Sequence, residues 1–148
     1  MKIFLAGAVS VASESQLEKY HAYKDILSEF GSLTTPDDIW DYRQKCIDEN
    51  PNKNKLEIDK MMVDYDIALV KNSDIMICDI SEQSTGMGLE LGVVKENDID
   101  IVFCYQKGSY VSNMLTGAFY DKKFIEYETI FELKEKLKNV ITKKYNKF

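Results

Sequence analysis

Three carboxylates stand where they could do chemistry. Glu90 lies in "STGMGLELG" (84–92), between two leucines and behind two glycines. Asp64 and Asp66 lie in "VDYD" (63–66). A carboxylate among apolar neighbours is costly to bury unless it is paired or used. Gly86 and Gly88 let a backbone approach a ligand, and Ser84 and Thr85 add hydroxyls. The free N–H groups of a following helix favour an anion there. The same dipole predicts that Glu90, in the first turn or two, is ionised. An ionised carboxylate beside a bound sugar can stabilise an oxocarbenium-like centre or attack it, while a second carboxylate protonates the leaving group. Asp66 and Asp64 are the candidates for that second role. The plainer alternative is that Glu90 is a helix-start carboxylate satisfied by its own amides.

Other motifs fail on position. Gly86, Gly88 and Gly92 do not keep GxGxxG spacing and do not follow the first strand. No GxxxxGK[ST] loop is present. The first strand ends in Ala6-Gly7-Ala8 and offers no acidic phosphoacceptor site. Cys46, Cys78 and Cys104 form no CxxC pair and read as inert core thiols of a reducing cytoplasm. With one histidine, His21, and no clustered ligands, no metal or organic cofactor is expected.

The elements that must position these groups alternate along the chain. "KIFLA" (2–6) is a short apolar strand. "SESQ" (13–16) matches a capping box, and Leu17, Tyr20, Leu27 and Phe30 then recur at helical spacing until Gly31. "SLTT" predicts a second strand stopped by Pro36. Residues 36–54 fit a short helix, an active-site flap or both, with Trp40 and Tyr42 stacking on a base or on the protein. Ile58, Met61, Met62, Tyr65 and Leu69 mark a helix over 56–71. "DIMICDI" (74–80) is apolar enough for a strand covered on both faces. A helix carrying Glu90 runs to about Asn97, followed by a strand at 100–105. A short helix falls within 110–119 and a strand at 123–127. A final helix over 129–146 turns Phe131, Leu133, Leu137, Val140 and Ile141 inward, with a frayed end. The pattern predicts an α/β fold in one domain over 1–148. Its core is an open parallel five-stranded sheet with helices on both faces, flavodoxin-like or Rossmann-like. Ligands in such sheets sit beyond the carboxyl ends of the strands, here at "AGAVSVAS", "SEQSTGMG" and "QKGSY".

Length and charge bound the rest. A chain of 148 residues suits one core. A net charge of −6 argues against broad nucleic-acid binding. No apolar run reaches the length of a membrane span, and the N-terminus lacks a signal-peptide core, so a cytoplasmic protein is expected. One arginine, Arg43, leaves any phosphate to backbone amides, hydroxyls and lysines.

Taken together, "MKIFLAGA", "VDYDIALVKNSDIMICDIS" and "STGMGLELG" resemble the nucleoside 2-deoxyribosyltransferase family across nearly the whole chain. The likeness is greatest to its nucleoside 5′-monophosphate N-glycosidases. The resemblance implies cleavage of base from sugar at C1′. It implies Glu90 as the nucleophile and Asp66 as the assisting aspartate. It places Ser84, Gly86 and Gly88 about the substrate's 5′-phosphate and matches Gly7 to the first-loop glycine of the substrate site. Ser112 and Met114 of "YVSNMLTGA" match a segment lent to a neighbouring subunit, implying a homodimer with composite sites. Phe4 matches the position that senses the sugar 2′-group. It stands where deoxynucleotide hydrolases carry tyrosine and cytidine monophosphate hydrolases carry phenylalanine, which leaves a ribonucleotide open. Ala8-Val9-Ser10 lacks the hydrolases' first-loop arginine, a role that Lys107 or another lysine would fill. Three functions follow: a hydrolase of a (deoxy)ribonucleoside 5′-monophosphate, a transferase exchanging bases between (deoxy)nucleosides, or a non-catalytic nucleotide-binding module.

Overall fold

A computed structural model of the chain describes residues 1–8, 14–35 and 39–145, with 39 and 40 by backbone only. The Ser13 end of the capping box, Val9 and Ser10, Pro36, the Trp40 side chain and residues 146–148 lie outside the described residues.

Among the described residues, five strands form one parallel sheet in the order β2-β1-β3-β4-β5: β1 (Lys2–Ala6), β2 (Ser32–Leu33), β3 (Ile75–Asp79), β4 (Asp100–Gln106) and β5 (Lys123–Tyr127). This is the flavodoxin-like order, with its switch point between β1 and β3. β3 is buried along its whole length, as an apolar strand covered on both faces must be. β2 is shorter than "SLTT" suggests because the threonines stop pairing as a ladder. The Thr34 N–H still donates to the Ile3 carbonyl at 2.8 Å, but the Leu5 N–H donates to the Thr35 hydroxyl at 2.5 Å.

Among the same residues there are six helices: α1 (Glu14–Ser28), α2 (Ile39–Glu49), α3 (Lys55–Lys71), α4 (Thr85–Glu96), α5 (Asn113–Ala118) and α6 (Ile130–Tyr145). The alternation of side chains along each strand divides the core in two. Ile3, Leu5, Ile75, Ile77 and Cys104 pack against α1 and α6. Phe4, Ala6, Met76, Cys78 and Phe103 pack against α3, α4 and the end of α5. Leu133 and Leu137 of α6 are wholly buried, each contributing about 2 kcal/mol of transfer free energy.

Two helical stripes begin later than their periodicity predicts. Leu17 in the first turn of α1 is 42% exposed and Phe131 in that of α6 75%. Tyr23, Ile26 and Leu27 fill the α1 interface instead. The ambiguous segment is a helix, α2, packed on α3. α3 begins with a reciprocal cap: Asn54 Oδ1 accepts the Glu57 N–H, and the Glu57 carboxylate accepts the Asn54 N–H. At the turn into β2, a Cβ on Gly31 would lie 2.3 Å from the Met1 carbonyl oxygen, so only glycine fits. All three cysteines are free and buried.

Candidate active site

Glu90 sits one turn inside α4, and its carboxyl is hydrogen-bonded to that of Asp66 on α3. Two carboxyls can share a hydrogen bond only if one holds a proton. Burial pushes Glu90 up to about 9, with the charge of Asp66 and the bond to it adding to the shift. Burial also raises Asp66, while the bond from Glu90 lowers it. Burial and the neighbouring Asp66 together favour the protonated form of Glu90. This reverses the ionised Glu90 that the helix dipole predicts. The dipole acts mainly within the first turn, and desolvation beside a second carboxylate outweighs it. Asp64 is not part of the pair; it is exposed and bonded to Lys60. The Cys78 thiol lies below, raised by burial and by the nearby Glu90.

The other predicted residues fall into separate groupings. Ser84 caps α4, its hydroxyl accepting the Met87 N–H at 3.4 Å. Ser84, Met87, Gly88 and Leu91 line one side of a cleft of about 160 Å³, and Tyr110, Ser112 and Leu115 line the other. Ser112 precedes α5 without using its side chain as a cap. It thus shares a cleft with Ser84 in the same chain. Glu90 and Asp66 do not line that cleft; they meet where α4 packs on α3. A Cβ at Gly88 would meet no protein atom within 4 Å, and one at Gly86 only the Ser84 hydroxyl at 3.8 Å. Packing within the chain does not require glycine at either position. Met114 is 84% exposed. Phe4 is 1% exposed, on the same sheet face as the carboxyl pair but enclosed in the core. Tyr42 stacks on Tyr65, ring centroids 3.9 Å apart, which is the protein-packing alternative. Lys107 is ion-paired with Glu128, both side chains being exposed.

One acidic residue escaped the sequence reasoning. Asp79 ends β3, is 6% exposed and is ion-paired with Lys19 at 3.1 Å. An acid closing an otherwise apolar run, "IMICD", was the available signal. Gly7 lies beside it, with a Cβ at that position 3.9 Å from the Cβ of Asp79. Among the described residues, no group of three or more His, Cys, Asp or Glu could hold a metal ion. Among the same residues, no helix is long and apolar enough to cross a membrane.

No protein-family model and no curated protein matches the sequence. Solved structures do. The CMP N-glycosidase BcmB of Clostridium botulinum superposes with a TM-score of 0.63 at 16% identity, covering 95% of this chain and 99% of that one. A 2-deoxyribosyltransferase from the psychrotolerant Bacillus psychrosaccharolyticus gives 0.62 at 18%, over 90% of each chain. A conserved protein from Enterococcus faecalis V583 gives 0.63 at 17%, over 94% and 98%. The chain has the fold that this N-glycosidase and this 2-deoxyribosyltransferase share.

Proposed function

We propose that the chain is a member of the nucleoside 2-deoxyribosyltransferase family that cleaves the N-glycosidic bond of a (deoxy)ribonucleoside 5′-monophosphate. The observation that carries this is the paired carboxyls of Glu90 and Asp66 where α4 packs on α3. Two carboxyls with one proton between them match the chemistry. On substrate binding the proton passes to Asp66. The Glu90 carboxylate then attacks C1′, forming a glycosyl ester as the C1′–N bond breaks, and the base leaves with the proton from Asp66. Water attacks C1′, Asp66 takes its proton, and Glu90 is released with the sugar 5-phosphate. Ser84, Gly86, Gly88 and Gly7 face the phosphate end, and Phe4 backs the sugar from within the core. The resemblances in motif and fold support the assignment; no cofactor enters it.

A second function, exchange of bases on a free (deoxy)nucleoside, is favoured by one observation. Lys107, just after β4, and Lys19, beside Gly7, each already have a carboxylate partner, Glu128 and Asp79. In that case a second base, in place of water, captures the ester.

The working unit in this proposal is a homodimer with composite sites. Exposed Met114, Tyr110 (69%) and Leu89 (51%) support it, as does the open space beside Gly88. Chromatography of reactions with ribo- and deoxyribonucleoside monophosphates and free nucleosides, each with and without a second base, tests the function. Free base and sugar phosphate from a monophosphate alone mark the hydrolase. A new nucleoside formed only with the second base marks the transferase. Nucleotide binding without either product would leave the binding module. Mixing inactive Glu90→Ala and Ser112→Trp chains tests the composite site, since activity returns only if sites draw on two chains.

A further inference from the structure

Asp79 and Glu90 lie on opposite faces of the sheet. Ile75, Ile77 and Asp79 alternate with Met76 and Cys78 along β3, so Asp79 faces α1 and α6 while Glu90 lies over Cys78. Asp79 therefore does not reach the carboxyl pair. Its partners come from three elements. Oδ1 accepts the Ser81 N–H at 2.8 Å, and Oδ2 faces Lys19 Nζ of α1 at 3.1 Å and accepts the Tyr127 hydroxyl of β5 at 3.4 Å. The Ser81 hydroxyl in turn accepts the Gln106 N–H at the end of β4, at 2.9 Å. Gly7 and Ala8 of the first loop, with Lys19, Asp79 and Glu82, enclose a cavity of about 20 Å³, the size of one water.

A buried carboxylate is a costly way to fill this space, and an apolar side chain would be cheaper. What the carboxylate adds is direction. Its three donors tie α1, β5 and the start of the β3–α4 loop to one point beneath the first loop.

We propose that Asp79 is a positioning residue that fixes the loop 80–84, and with it Ser84, for the sugar-phosphate end of the substrate. This rests on the glycosidase assignment. Glu90 itself is held by the packing of Met87, Leu91 and Val94 in the core, so loss of Asp79 moves the loop and leaves the nucleophile in place.

The test compares wild type, Asp79→Ala and Asp79→Asn in two assays. In base release from the preferred monophosphate, KM should rise about tenfold in Asp79→Ala while kcat stays within about threefold. Asp79→Asn keeps an acceptor for the Ser81 N–H but loses the charge facing Lys19, so its KM should rise about threefold. In hydrogen exchange, amides 81–87 should exchange about tenfold faster in Asp79→Ala while β1, β3 and β4 keep their protection. Unchanged KM in both variants overturns the proposal. So does exchange that quickens across the whole chain, or a fall in kcat alone. If Asp79→Ala does not fold, the threefold rise in Asp79→Asn decides. If wild type releases no base from any substrate, the glycosidase assignment falls, and the exchange pattern still decides whether Asp79 sets the loop.

Discussion

Replacing Glu90 with glutamine should flatten the pH dependence of stability. Burial and Asp66 hold the Glu90 proton in the folded chain up to about pH 9, whereas a free glutamate releases it near 4.5. Between those limits the native state holds a proton that the unfolded chain has lost. Stability is then fullest below the unfolded pKa and is lost as pH rises through the folded one. Each pH unit in that window removes about 1.4 kcal/mol per proton. Going from about pH 6 to about pH 8 should therefore cost wild type up to about 3 kcal/mol through this pair. Glutamine still offers Asp66 an N–H donor but has no proton to release. Asp66 keeps both its burial and a neutral donor, so the substitution removes the titration of Glu90 alone. Urea melts followed by far-UV circular dichroism at both pH values give the two slopes. If wild type and Glu90→Gln lose stability in parallel between about pH 6 and about pH 8, the shared proton is refuted.

Glu90→Gln and Glu90→Ala should both abolish base release while keeping the fold, and near-normal turnover in either would remove Glu90 as the nucleophile. Asp66→Asn should cut kcat by about 10²-fold or more, and less for a leaving group that departs without a proton; equal losses for both would deny Asp66 the acid role. Ser84→Asp keeps a good N-cap residue at the start of α4 but sets a charge against a phosphate. Its KM for monophosphates should rise more than that for nucleosides, and equal rises would show that Ser84 does not face the phosphate. Gly31→Ala drives a methyl against the Met1 carbonyl oxygen, 2.3 Å away, and should destabilise the chain by about 1–3 kcal/mol in the same melts; no change would mean the turn relaxes freely.

The sheet was legible because its strands are short apolar runs with few competing interpretations. "IMICD" is buried throughout, as its composition requires. Helix existence was legible too, but not how far each stripe stays in contact. Leu17 and Phe131 keep the period of their helices yet stand exposed in the first turns, and periodicity carries no information about where along a helix the contact begins. Glu90 stood out from its neighbours alone. Choosing Asp66 over Asp64 needed the family resemblance, since both follow the same helix and only the fold shows which faces α4. The charge state was misjudged because a dipole can be inferred from a helix start, whereas desolvation depends on packing by α3. Asp79 was missed because one polar letter at the end of a strand looks the same whether it meets water or three donors.

The strand order carries a consequence for synthesis. β1 is made first, but its nearest sequence neighbour, β2, gives it only a two-residue ladder. Its main partner is β3, pairing Ile3 with Ile75. Closing a loop of roughly seventy residues costs about 4 kcal/mol in chain entropy, so β1 gains little until β3 has left the ribosome and β4 can back it. Until then an apolar "IFLA" segment trails from the nascent chain without its ladder. The N-terminal strand is thus the segment most in need of a chaperone's cover during translation, although in the finished protein it is among the best protected.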